Sequence, residues 1–119
     1  MAKQVSETNP EPATANLPET AEDFVKSGWS HYSKKEYYRA EADFQKALEL
    51  SPNHIDTLYA LAMTFQTSGR QQEAIHTFER VLKELPQLEE ADKVRAHMLG
   101  RLAKGHINRI KTGDWNLTG

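Results

Sequence analysis

The sequence contains no cysteine among its 119 residues. This absence excludes disulfide bonds, thiolate chemistry and cysteine-based metal sites, and it fits a reducing compartment such as the cytoplasm. No apolar run approaches the roughly 20 residues that a membrane-spanning helix needs. The N-terminal stretch also lacks an apolar region between a basic start and a small-residue cleavage site, so it does not indicate a secretory signal. We therefore expect a cytoplasmic chain of at most one domain, with no membrane contact.

Catalytic and metal-binding patterns are equally scarce. The five histidines form no His-x-x-x-His pair and have no glutamate at ligand spacing on a shared helical face. The sequence has no Gly-rich phosphate loop and no nucleophile elbow. Acidic pairs such as Glu89 and Glu90 lie at predicted helix starts, where they favour the helix dipole. We therefore expect no enzyme activity, no metal site and no cofactor.

The formal net charge of −2 conceals a gradient along the chain. From residue 91 onward six bases stand against two acids, which gives 6 − 2 = +4 and leaves −6 for the first ninety residues. Such a gradient can orient partners or self-association, and it is also typical of solvated helix faces. Arg101, Lys104 and Arg109 can form a basic patch, but no aromatic residues interleave with them for base stacking. Anion or nucleic-acid binding through this segment stays an alternative that the sequence does not favour.

Hydrophobic periodicity predicts five or six helices after a tail. Residues 1–18 hold three prolines and few large aliphatics, which predicts a disordered N-terminal tail. Thr20 is the expected N-cap of the first helix, with Asp23 three residues later. Gly69 suits a left-handed residue in the turn after the third helix. The predicted later boundaries are a stop of the fourth helix at Pro86, a fifth helix over about 88–103, a turn at 104–105, a sixth helix over 106–111 and a tail over 113–119.

The sequence repeats its skeleton at a spacing of 34 residues, since 86 − 52 = 34. The pairs that recur in phase are Ala40 and Ala74, Phe44 and Phe78, Leu48 and Leu82, and Pro52 and Pro86. A period of 34 residues in a helix–turn–helix pattern is typical of solenoids, in which each helical hairpin buries its faces against its neighbours. The alanines let two helix backbones approach, and the phenylalanines fill the space one turn further on.

At these residues the chain resembles the tetratricopeptide repeat family. Counted from residue 21, the family pattern is met by Phe24, Gly28, His31, Ala40, Phe44, Ala47 and Pro52. Counted from residue 55, it is met by Leu58, Ala62, Phe65, Ala74, Phe78, Val81 and Pro86. The departures include His31 at an aromatic position and Ser27 where the family usually has leucine. The resemblance implies an all-α, right-handed solenoid of antiparallel helix pairs.

The domain is predicted to span 19–112. Repeat one covers 21–54, repeat two covers 55–88, and a partial third repeat over 89–112 acts as a cap. The third unit departs from the family pattern, because Asp92 and Arg95 stand at its large apolar positions. Trp115, beyond this cap, either folds back as a lid or lies free.

The resemblance implies that a peptide or helix of a partner protein binds in a concave groove lined by the first helix of each pair. The groove positions in this sequence are Glu22, Val25, Trp29, Tyr32, Asp56, Tyr59, Met63, Gln66, Lys93 and His97. Tryptophan and tyrosine on such a surface are typical anchors of binding energy. We therefore expect a protein–protein adaptor whose ligand is an apolar or aromatic motif, with a basic residue facing the acidic groove positions.

Two other interpretations stay open. Trp29 and Tyr59 can pack against each other and only cap the groove. A homodimer is also possible, because solenoids usually need about three repeats and an acidic groove with a basic C-terminal segment suits a head-to-tail contact.

Overall fold

The computed structural model describes residues 19–113, and in this range the chain forms five α-helices and no strand. The helices are α1 (Ala21–Ser33), α2 (Tyr37–Leu50), α3 (Ile55–Thr67), α4 (Gln71–Ala91) and α5 (Lys93–Thr112). Neighbours along the chain pack against each other, so that α1–α2 and α3–α4 form two hairpins and α5 packs on α4. The predicted all-α fold of packed helix pairs is confirmed. The predictions for residues 1–18 and for Trp115 lie outside the described range, and the repeat boundaries stay predictions.

Local signals set the first helix start and the turn between α3 and α4. The Thr20 Oγ1 accepts a hydrogen bond from the Asp23 backbone N–H at 3.1 Å, and the Asp23 carboxylate accepts one from the Thr20 N–H at 3.2 Å. This reciprocal capping box satisfies two backbone donors that the helix cannot pair internally. Gly69 has a φ of +85°, the left-handed conformation expected there. The predicted N-cap and glycine turn are both confirmed.

The core runs between the two hairpins and consists of the recurring small and large residues. Phe44 and Phe78 are fully buried, as are Ala40 and Ala74 one turn earlier on their helices. Removing either phenylalanine side chain would cost about 3–5 kcal/mol, because a cavity is added to the lost transfer energy. The 34-residue echo in the sequence is therefore the repeated core of the two hairpins.

The predicted stop of the fourth helix at Pro86 is wrong. Pro86 lies inside α4, which continues for five more residues to Ala91. A proline in a helix lacks one backbone N–H and crowds the preceding turn, but Leu85 and Leu88 on either side of it pack against the core. That burial favours continuation, and Asp92 then begins α5 by accepting a hydrogen bond from the Arg95 backbone N–H at 3.1 Å.

The predicted turn at Lys104 and Gly105 is also wrong. Residues 93–112 form one continuous helix, in which Gly105 is buried. Among the described glycines only Gly69 and Gly113 have a positive φ, so Gly105 does not end a helix. Ile107 and Ile110 pack against the same core as Leu99 from earlier in α5, which holds both predicted segments on one axis.

No helix within residues 19–113 is long and apolar enough to cross a membrane.

Candidate functional site

Trp29 on α1 is the aromatic side chain most available to a partner among the predicted groove residues. It is 41% exposed, yet its ring is held edge-on by Tyr32 and by Phe44, each with a centroid distance of 5.3 Å. Gly28 makes this packing possible, because a Cβ atom at that position would lie 2.6 Å from the Phe44 ring. The close approach of α1 to α2 therefore fixes an exposed indole in one orientation.

Tyr32 joins the two repeats at one end of the site. Its hydroxyl hydrogen-bonds with the Thr67 Oγ1 at 2.8 Å, which links α1 to the last residue of α3. Its ring also lies edge-on to Tyr37, with centroids 5.5 Å apart. Tyr32 therefore couples the relative position of α1 and α3 while supporting Trp29.

Tyr59 on α3 is engaged by α5. Its hydroxyl hydrogen-bonds with the Nε2 of His106 at 3.0 Å, and its ring lies edge-on to Phe78 at 5.8 Å. His106 in turn stacks on Phe78 with centroids 4.7 Å apart and the rings nearly parallel. Tyr59 and Trp29 thus each pack on other rings.

Burial shifts the two titratable groups of this cluster in ways that keep both neutral. It raises the pKa of the Tyr59 phenol, to which the nearby Tyr32 also contributes. It lowers the pKa of His106, and the neighbouring Arg109 lowers it further. Both shifts follow from the cost of placing a charge in a partly dehydrated site.

A cleft of about 420 Å³ lies where α1 and α3 begin. Its lining residues are Ala21, Glu22, Val25, His54 and Asp56. Asp56 is paired with the Arg95 guanidinium from α5. Glu22 is exposed and makes no ion pair with any residue in 19–113. The carboxylate of Glu22 is therefore the one that the cleft offers to a cationic ligand group.

The remaining predicted groove residues divide between two places. Met63 and Gln66 are partly buried on α3 with the aromatic residues. His97 instead lines a cleft between α4 and α5, and Lys93 is exposed at the start of α5. Whether these residues bind a ligand stays a prediction.

The α5 side chains that reach α3 are Arg95 and His106, which the sequence did not point to as groove residues. The 34-residue count placed 93 and 97 on the groove. It assumed that α4 stops at Pro86, and the continuation of α4 moves α5 along its axis. A signal was available at Asp92, which can cap a helix that begins at residue 93.

Across the described range no group of three or more His, Cys, Asp or Glu side chains is placed to hold a metal ion.

Stacked antiparallel helix pairs with a repeated alanine–phenylalanine core define a helical repeat protein. The tetratricopeptide repeat model matches residues 28–83. The chain belongs to the tetratricopeptide repeat family, as the residues indicated. Repeats of this family generally mediate protein–protein interactions and are typically parts of non-enzymatic scaffolds.

Two curated relatives have the same character. "Superkiller complex protein 3" of Mus musculus is 32% identical over 108 residues, which cover 89% of this chain and 6% of that protein. "TPR repeat-containing protein MJ1428" of Methanocaldococcus jannaschii is 34% identical over 68 residues, covering 57% of this chain and 12% of that protein. The chain thus spans a small part of the length of either relative. No solved structure matches it significantly.

Proposed function

We propose that the chain is a non-enzymatic adaptor that binds a peptide or helix of a partner protein on the α1–α3 face. This face comprises Glu22, Val25, Trp29, Tyr32, Asp56, Tyr59, Met63 and Gln66. The observation that carries the proposal is the exposed Trp29 ring, held edge-on between Tyr32 and Phe44. A rigid aromatic side chain loses little conformational entropy on binding, so its contact area converts efficiently into affinity.

The surroundings of Trp29 favour an apolar or aromatic ligand motif. Val25 and Met63 are partly buried against the core and add apolar surface to the same face. Tyr59 is already hydrogen-bonded to His106, so it acts as a wall of the site rather than as a mobile anchor.

A basic residue beside the ligand motif would face Glu22. Asp56 is compensated by Arg95, which leaves one acidic group at the cleft rather than the several that the sequence suggested. An exposed ion pair of this kind contributes only about 0.2–1 kcal/mol. The basic residue would therefore orient the peptide more than it would tighten binding.

The proposal includes a cytoplasmic location. Its support is the absence of cysteine from the sequence, which suits a reducing compartment.

Affinity capture with crosslinking tests the binding face. Wild type, Trp29→Ala and a matched Tyr38→Ala variant would be compared after circular dichroism shows all three to be folded. Tyr38 is a suitable control because it is an aromatic residue 76% exposed on α2, outside the α1–α3 face. We expect a partner that is retained by Tyr38→Ala and lost with Trp29→Ala, with crosslinks to residues of α1 and α3.

Equal capture by all three proteins would overturn the proposal. Crosslinks confined to α5 would do the same, because they would place the partner on another surface.

A further inference from the structure

One side of α5 exposes apolar side chains that the fold does not use. Val94 is 80% exposed and Met98, one turn later, is 51% exposed. The other side of the same helix buries Ala96, Leu99 and Ala103. Large apolar residues one turn apart on an exposed helix face are typical of an interaction surface when they have polar neighbours.

Cations flank this apolar pair. Lys93, Arg101 and Lys104 are exposed on the same side of α5, and none of them forms an ion pair with a residue in 19–113. Arg95, on the other side, shows the contrast because it is paired with Asp56. We call Lys93, Val94, His97, Met98, Arg101 and Lys104 the α5 outer face.

A cleft of about 320 Å³ between α4 and α5 continues this face. Leu82 and Leu85 from α4 line it together with Ala96 and Gly100 from α5. A Cβ atom at Gly100 would lie 3.0 Å from the Leu85 side chain, so the two helices are close at that point. The cleft also carries His97, Arg101, Lys104 and one acidic lining residue, Glu89.

We propose that the α5 outer face docks an amphipathic helix of a partner protein whose apolar stripe is flanked by aspartate or glutamate. A helix fits because a straight ridge at positions 94 and 98 beside a cleft is the surface that helix–helix packing uses. Acidic flanks fit because three uncompensated cations border the apolar pair, and complementary charges determine partner choice and association rate. The inference is independent of the function proposed for the α1–α3 face.

A designed peptide tests the proposal. The probe is a fluorescein-labelled 18-residue helix with leucine at positions i, i+4, i+7 and i+11, glutamate beside the leucines and alanine elsewhere. The control peptide has lysine in place of each glutamate. Fluorescence anisotropy at low and moderate salt would give both dissociation constants. We expect the acidic peptide to bind about tenfold more tightly than the basic one, with the difference shrinking as salt is added.

Protein variants then locate the site. Arg101→Glu/Lys104→Glu should weaken binding of the acidic peptide about tenfold, and Met98→Ser should weaken it further. Lys34→Glu/Lys35→Glu makes the same charge change in the α1–α2 turn and should leave binding unchanged. Amide shifts in a ¹⁵N-labelled protein should move around Val94 and Met98 and stay fixed around Trp29.

Several results would overturn the proposal. They are equal affinity for the two peptides, amide shifts centred on Trp29, and tighter binding of a 12-nucleotide single strand that the Arg101→Glu/Lys104→Glu variant loses. A dimer in sedimentation velocity that the same variant abolishes would also overturn it, because the occupant of the face would then be a second copy.

Discussion

The corresponding faces of the two hairpins differ in chemistry although their backbones repeat. Repeat one has Ser27, His31 and Asp43, and the positions 34 residues later in repeat two have Leu61, Phe65 and Thr77. In repeat one these side chains form a polar cluster, in which the Ser27 hydroxyl donates to Asp43 at 2.6 Å and a His31 ring nitrogen lies 3.7 Å from the same carboxylate.

In repeat two the equivalent side chains are core. Leu61, Phe65 and Thr77 are each at most 6% exposed, and Gln45 of α2 lines the same cleft as they do. Arg70 lies over the Phe65 ring and pairs with Glu41 of α2, which closes the contact between the hairpins.

The comparison teaches that the repeat position fixes where a side chain points, whereas its neighbour fixes whether it must be apolar. The polar cluster of repeat one has no described helix packed over it, so hydrogen bonds replace burial. A polar outer face of this kind is what keeps the end of a solenoid from sticking to other chains.

Exchanging residues between the two faces should give the largest effect. Leu61→Ser gives repeat two the residue of repeat one, and it should lower the free energy of unfolding by roughly 2–5 kcal/mol because it leaves a cavity and an added hydroxyl in the core. The reciprocal Ser27→Leu loses one partly exposed hydrogen bond and should change stability by less than about 1.5 kcal/mol. Urea unfolding followed by circular dichroism measures both. Similar losses from the two exchanges would show that the faces are equivalent after all.

The two prolines sharpen the comparison at the helix ends. Pro52 follows the end of α2, whereas Pro86 lies inside α4. Pro86→Ala restores a helical hydrogen bond and should raise the free energy of unfolding by up to roughly 3 kcal/mol. Pro52→Ala has no helix to repair and should lower stability by up to about 1 kcal/mol, because it makes the unfolded chain more flexible. Thermal unfolding of both variants tests this, and equal effects would mean that α4 ends near Pro86.

Gly28 and Ala62 occupy the same repeat position. Gly28→Ala should destabilise repeat one by about 1–3 kcal/mol, because the new methyl group would meet the Phe44 ring at 2.6 Å. That clash should outweigh the helix propensity gained, which is about 1 kcal/mol. Ala62→Gly in repeat two serves as the control and should cost about 1 kcal/mol through propensity alone. A stabilised Gly28→Ala protein in urea titration would contradict the close packing of α1 on α2.

The smallest effect should come from His106, which stacks on Phe78 where Phe44 has Trp29. Burial lowers the pKa of His106 in the folded protein, so the unfolded chain takes up the proton more readily. Its contribution to stability is therefore complete above its ordinary pKa of about 6.5 and is lost as the pH falls from there through the lower folded pKa. Chemical unfolding of wild type and His106→Gln at pH 7.5 and 5.5 checks this prediction. We expect a smaller loss at pH 5.5 in the variant, and identical pH dependence would contradict it.

The sequence predicted the repeated part of the molecule well because each hairpin is specified locally. The recurring Ala40 and Phe44 with their partners, the Thr20 cap and the Gly69 turn all act within one or two helix turns. The same reasoning failed at Pro86 and Gly105, where a local breaker competes with burial of Leu85, Leu88 and Ile107. Burial of those side chains depends on contacts between helices that no single segment shows.

The candidate site was predictable in part for the same reason. The register placed Trp29 on α1 and Tyr59 on α3, and it identified Trp29 as an exposed aromatic. It missed that His106 and Arg95 reach α3, because their positions depend on where α5 begins. Ser27 and His31 were noticed as departures from the family pattern, but their pairing with Asp43 required the packing of α1 on α2.

By itself the sequence determined the helical hairpin, its 34-residue period and the residues that form its core, because these follow from periodicity, caps and turns within short segments. The tertiary structure decided the length of α4, the continuity of α5 and the partners of Asp56 and Tyr59. These depend on the balance between the cost of a proline or glycine in a helix and the burial gained when that helix packs on its neighbour, and this balance is settled only by contacts between segments far apart in the chain.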